Sequence, residues 1–145
     1  MNEKKGDNMN NEILHKEIDL IQDCIRRMAQ NSFIVKGWML SLVTIILTLG
    51  ITSQANDNNL CLIILIPIIA FWYLDGFFLQ TERKYQKMYQ WIIENRNKTD
   101  EFLYDLNPKR FDNQVHAIFR IMFSKTILPL YLSTIIIIFL LFLST

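Results

Sequence analysis

Two charged side chains interrupt otherwise uncharged apolar runs: Lys36 within FIVKGWMLSLVTIILTLGIT (33–52) and Asp75 within LCLIILIPIIAFWYLDGFFL (60–79). An ammonium or a carboxylate held among apolar residues is costly unless it finds a partner, because it loses the water that stabilises its charge. Lys36 and Asp75 are equidistant from the midpoint between Ala55 and Asn56, so two antiparallel helices joined there bring them to one depth. Counting back from Thr52 at about 1.5 Å per residue puts Lys36 about 24 Å in. That is near the far boundary of a ~30 Å hydrocarbon layer. Lys reaches polar surroundings from such a depth, whereas the shorter Asp75 needs a partner more. The pair is either a structural pin at a membrane boundary or a polar constriction. Gly76 follows directly, where it permits close backbone approach or a kink.

A second pattern lies on the first run. Gly37, Ser41, Thr44 and Thr48 recur at spacings of four, three and four, which gathers them on one small, hydroxyl-bearing helical face. Trp38, Leu42, Ile45, Ile46 and Leu49 cover the rest. Small residues let helices approach closely in lipid, so this face either packs tightly on the second or third apolar run or lines a polar path shared between copies.

Other reactive residue types are scattered. Cys24 and Cys61 fall on opposite sides of the expected boundary and have no C-x-x-C or metal-type spacing, so both read as small apolar side chains. His15 and His116 are isolated, neither with a second His or a Cys at metal-binding spacing, and both read as ordinary polar-face residues. No Walker A loop, G-x-G-x-x-G, H-E-x-x-H or G-x-S-x-G occurs. No catalytic, cofactor-binding or metal-binding residue is assigned, and the chain is not expected to be an enzyme. Its formal net charge of +1, with acids interspersed among the bases, gives no reason to expect nucleic acid as a partner.

The elements that must position these groups are legible in the hydropathy. Hydrophobic residues make up 51% of the 145, mean hydropathy is +0.18, and three uncharged or nearly uncharged runs emerge: 33–52, 60–79 and 126–144. Each approaches the ~20 residues that a crossing requires. About thirty mostly polar residues precede the first run, unlike a secretory signal. Five Lys and Arg precede the first run, Lys36 lies near its start, and nine lie between the second and third, which exhausts the fifteen. The positive-inside rule therefore puts the N-terminus and the middle segment in the cytoplasm, with the turn 53–59 and the C-terminus outside. The fold class is an all-α membrane protein: three transmembrane helices, with a helical hairpin extended into the cytoplasm by amphipathic helices.

Residues 1–11 read as a disordered lead-in. In 12–31, Leu14, Ile18, Ile21, Ile25 and Met28 make an amphipathic stripe that either packs on the helix leaving the second run or forms a seam between protomers. Tyr85, Met88, Tyr89 and Ile92, in the cytoplasmic segment 80–125, form its natural partner. Polar residues 95–100 break the pattern, and Asn107-Pro108 marks a turn. Phe111, Val115, Ile118, Phe119 and Met122 predict a further amphipathic helix before the third run. Pro67 and Pro129 are tolerated in membrane helices and can bend them.

The segments RMAQNSFIVKGWMLSLV (27–43) and FWYLDGFFLQTERKYQKMY (71–89) resemble small bacterial membrane proteins of defence islands, some beside TIR-domain genes, similar in organisation to SLATT-type pore-forming effectors. The resemblance covers mainly residues 12–93, and the third apolar run departs from the two-span plan. It implies a homo-oligomeric effector of the bacterial inner membrane that permeabilises or depolarises the bilayer when a cytoplasmic sensor protein or nucleotide signal reports infection. A non-conducting anchor or scaffold that recruits a cytoplasmic partner is the alternative. A secondary transporter is disfavoured, because three spans show no internal repeat.

Overall fold

The computed structural model describes residues 3–53, 57–96 and 98–144, all-helical with no strand among them. Helices α1 (Glu3–Ser53) and α2 (Asp57–Asn95) form an antiparallel hairpin. A 3-10 helix (Pro108–Gln114), the short α3 (Ile118–Met122) and α4 (Leu128–Ser144) follow, and all three pack on α2. Of the turn expected at 53–59, Ser53 and Asp57–Asn59 are helical, and 54–56 lie outside the described residues.

Helix α1 differs from expectation in its continuity. The stretch read as a lead-in is helical from Glu3, and no break separates 12–31 from 33–52. No proline occurs between Glu12 and Ser53, so the ladder of i to i−4 hydrogen bonds has no reason to stop at Asn31 or Ser32. At 51 residues α1 is about 76 Å long, well beyond the ~30 Å of a hydrocarbon layer. One buried row runs down most of it: Glu17, Ile21, Cys24, Ser32, Met39 and Val43, at spacings that are sums of three and four.

That row meets α2 in two cores. In one, Ile21 packs with Met88, Ile92 and Phe111, flanked by Leu14, Ile18, Ile25 and Tyr85. In the other, Met39 and Val43 meet Ile64 and Ile68 of α2, Ile121 of α3, and Ile127, Tyr131 and Ile138 from the chain leading into and along α4. Pro67 lies inside α2 without ending it.

The segment 111–122 is not one amphipathic helix. Asn107 caps the 3-10 helix by accepting from the Lys109 N–H at 3.1 Å, and Pro108 begins it. Val115 is extended, and α3 starts only at Ile118. Two side chains hold this return path on α2: Lys84 Nζ lies 2.7 Å from Asp112 Oδ1, and Gln80 Nε2 donates to the His116 carbonyl at 3.0 Å. Helix α4 starts where Pro129 falls in its first turn, a position whose N–H has no intrahelical partner anyway. Its 17 residues give about 25 Å, less than the run 126–144 promised and short of a full ~30 Å crossing.

Among the described residues two helices are long and apolar enough to cross a membrane, and only 22% of each apolar window is buried inside the protein. The core helix of a soluble protein shows the reverse. Trp38, Ile45, Leu49, Leu62, Ile66 and Phe139 all face outward. This outward apolar girdle points to membrane association.

Candidate functional site

The junction around Asp75 draws on four elements. Asp75 on α2 is fully buried. Its Oδ1 accepts from the Ser32 hydroxyl and, at 2.7 Å, from Lys36 Nζ. Lys36 Nζ also donates to Ser32 Oγ at 2.7 Å and approaches the Ser32 carbonyl at 3.4 Å. The Lys36 side chain keeps 24% of its surface exposed, the Asp75 side chain none. Ser32 and Lys36 are one helical turn apart, so both reach the same carboxylate. Sequence reasoning missed Ser32, although its i, i+4 relation to Lys36 was the available signal.

Asp75 Oδ2 is buried and makes no hydrogen bond of ordinary geometry among the described residues. Tyr131 of α4 stands beside the carboxylate, and its hydroxyl donates to the Phe71 carbonyl at 3.2 Å. Trp72 stacks on Tyr131 with ring centroids 5.8 Å apart, meets Phe123 edge-on at 5.1 Å, and donates Nε1–H to the Met122 carbonyl at 3.0 Å. An aromatic cluster of Trp72, Phe123 and Tyr131 thus borders the junction. Farther along α2, burial pushes the Glu82 carboxyl above its ordinary pKa, against the opposing pull of Arg83 and Lys36.

Gly76 explains how α3 comes so close. A Cβ there would stand 2.7 Å from Met122 Cγ and 3.6 Å from Ile118 Cγ1. Gly76→Val should therefore push α3 off α2 and cost about 1–3 kcal/mol, as overpacking does. The check is an equilibrium unfolding titration in detergent micelles, followed by Trp72 fluorescence. An unchanged midpoint would show that the approach is not tight.

Gly37, Ser41, Thr44 and Thr48 do not join this junction. All four are exposed, and a Cβ on Gly37 would meet nothing within 4 Å. The Thr44 hydroxyl donates to the Leu40 carbonyl at 2.8 Å and Thr48 to the Thr44 carbonyl at 2.9 Å, which satisfies both locally. The expectation that this face packs on the second or third run is thereby corrected. The face that meets α2 carries Met39 and Val43, and two residues along an α-helix turn the direction by about 200°.

A second polar cluster, which sequence reasoning did not find, lies at the far end of the hairpin. Arg96 grips Glu17 with two parallel bonds, Nε to Oε2 at 2.7 Å and Nη2 to Oε1 at 2.6 Å. Both side chains are buried. Arg96 Nη1 donates to the carbonyls of Thr99 and Glu101 at 3.1 and 3.0 Å, and Glu17 Oε1 accepts the Tyr104 N–H at 3.2 Å. Next to it the Arg110 guanidinium lies 4.3 Å from the Phe102 ring centroid, 5.3 Å from Trp91 and 5.4 Å from Phe111. Its Nη2 donates to the Asp105 carbonyl at 3.3 Å, while Nε and Nη1 have no hydrogen-bond partner among the described residues and face the rings.

Between the two clusters, Cys24 is buried and free, with Arg27 Nη2 3.2 Å from its Sγ. Burial, with Cys24 alongside, pushes the Tyr85 hydroxyl above its ordinary pKa. The side chain of Cys61 lies outside the described residues. No group of three or more His, Cys, Asp or Glu side chains that could hold a metal occurs among the described residues.

Fold and site together define an all-helical hairpin protein with two membrane-length apolar helices, pinned by one buried ion pair near its middle and another at its end. No family model, curated protein or solved structure matches the chain.

Proposed function

We propose that the protein is an oligomeric effector of the bacterial inner membrane that permeabilises or depolarises the bilayer when a cytoplasmic signal, such as one reporting phage infection, reaches its helical stalk. The observation that carries this reading is the outward direction of Gly37, Ser41, Thr44 and Thr48. On an apolar helix in lipid, a small hydroxyl-bearing face gains most by packing against another such face. A single hairpin cannot enclose a pore, so any conducting path belongs to the assembly. The Lys and Arg distribution supports a cytoplasmic N-terminus and stalk, with the hairpin turn and the end of α4 outside. The resemblance at 27–43 and 71–89 supplies the defence context and the expected trigger.

Induced expression, with neighbouring genes and a phage challenge, should collapse the membrane potential read by a voltage-sensitive dye. Ser41→Leu or Thr44→Leu should abolish the collapse while membrane insertion is retained. If expression and challenge leave the potential intact, the effector reading is lost. The alternative, a non-conducting anchor that recruits a cytoplasmic partner, is favoured by one observation: Phe102, Leu103 and Tyr104 lie exposed at the end of the hairpin farthest from the apolar girdle. An anchor would tolerate both leucine substitutions.

A further inference from the structure

We infer that the loop Thr99–Asp105 is a preformed docking prong for a soluble protein that offers an apolar cleft with a rim of Lys and Arg. Phe102 and Tyr104 have φ of 58° and 57°, a conformation that bulky L-residues rarely adopt and that costs on the order of 1–3 kcal/mol per residue. Such backbone persists only where its surroundings over-determine it, and here they do. Arg96 holds the carbonyls of Thr99 and Glu101, and Glu17 holds the N–H of Tyr104. Thr99 Oγ1 accepts the Glu101 N–H at 3.1 Å, and Arg110 covers one face of Phe102.

Three consecutive apolar side chains stay exposed on this rigid frame: Phe102 at 45%, Leu103 at 37% and Tyr104 at 44%. A loop already fixed in one shape loses little entropy on binding, and aromatic side chains are frequent anchors of interfaces. Asp100, Glu101 and Asp105 flank the anchors and outnumber Lys98 and the Arg110 guanidinium that lies against Phe102, so the complementary surface is cationic. A lipid surface is not the occupant. Arg96 lies 17 residues beyond Leu79, about 25 Å along α2, and an anionic inner leaflet repels these carboxylates.

This inference rests on the cytoplasmic placement of the stalk in the proposed function, and one experiment separates the two. A benzophenone photocrosslinker replaces Leu103 in the full chain, with the same group at exposed Gln22 as control, in the native host. The expected result is a position-103 adduct with one soluble protein. That protein, purified, should bind the full chain in nanodiscs, with affinity falling at least about tenfold in Tyr104→Ser and in the double variant Asp100→Lys/Glu101→Lys, and falling again on raising salt. Unchanged unfolding midpoints in these surface variants establish that the frame is intact. No adduct, an adduct with lipid, an adduct with a second copy, or equal labelling from Gln22 would each overturn the inference. Loss of membrane potential without an adduct leaves the effector reading standing and removes the prong; an adduct without loss of potential does the opposite.

Discussion

Arg96→Ala is expected to lower the unfolding free energy by about 3–5 kcal/mol, because it leaves Glu17 charged, buried and without its counter-ion. The Glu17 side chain is only 1% exposed, so water cannot replace the two bonds it loses. Arg96→Lys should recover little, since one ammonium cannot reproduce the parallel pair at 2.7 and 2.6 Å. The double variant Glu17→Leu/Arg96→Met should recover most of the loss, as apolar replacement of a whole buried pair commonly does. Only the stability of the hairpin returns in that variant. The carbonyls of Thr99 and Glu101 and the N–H of Tyr104 remain unheld, so the backbone at Phe102 and Tyr104 can relax from positive φ. Equilibrium unfolding in micelles reads the first effect, and amide exchange across 99–105 reads the second. A loss below about 1 kcal/mol for Arg96→Ala would mean that the pair is solvated like a surface bridge.

The two ion pairs differ in how far the sequence reveals them, and the cause is geometric. Two antiparallel helices of equal rise act as a ruler on either side of their turn, so equal spacing from 55 and 56 was enough to put Lys36 and Asp75 at one depth. The same ruler sets Glu17 opposite position 94, two short of Arg96, and Arg96 lies just past the last residue of α2, where the ruler ends. One signal for Glu17 was present: 17, 21 and 24 share a helical row, which makes Glu17 a charged residue on the buried side. The apolar stripe Leu14, Ile18, Ile21, Ile25 and Met28 crosses that row only at Ile21, so apolar periodicity alone passes over Glu17.

Periodicity likewise shows that Gly37, Ser41, Thr44 and Thr48 share a face without showing where that face points. Direction is set by which residues α2 buries, namely Met39 and Val43, and that depends on packing across the hairpin. At 111–122 the apolar spacing was real, and Phe111, Ile121 and Met122 are buried. Pro108 and the Asn107 cap nevertheless start a tight 3-10 turn, and an extended Val115 carries the chain back along α2. A chain crossing a helix in extended form buries residues at spacings that helical reasoning assigns to one helix.

At the central junction the two single substitutions should not cost the same, and the difference bears on what the pair does. Lys36→Leu leaves Asp75 fully buried with Ser32 as its remaining donor and an Oδ2 that already lacks one, so a loss of about 3–5 kcal/mol is expected. Asp75→Leu leaves an ammonium with 24% of its side chain exposed. That ammonium keeps Ser32 Oγ and can extend toward headgroups, so the loss should be nearer about 1–3 kcal/mol, the scale of a lost bond to a charged group. In the double variant neither charge is stranded, and the cycle should close with a coupling of about 1–3 kcal/mol. Additive losses in micelle unfolding would show that the 2.7 Å contact carries no energy. If the pin also holds the hairpin in a non-conducting arrangement, Asp75→Leu, the variant that retains more stability, should depolarise cells without a trigger. A pin that is only structural would instead leave the potential unchanged in Asp75→Leu while still showing the coupling. The same pair of variants thus reads the contact by thermodynamics and its role by membrane potential.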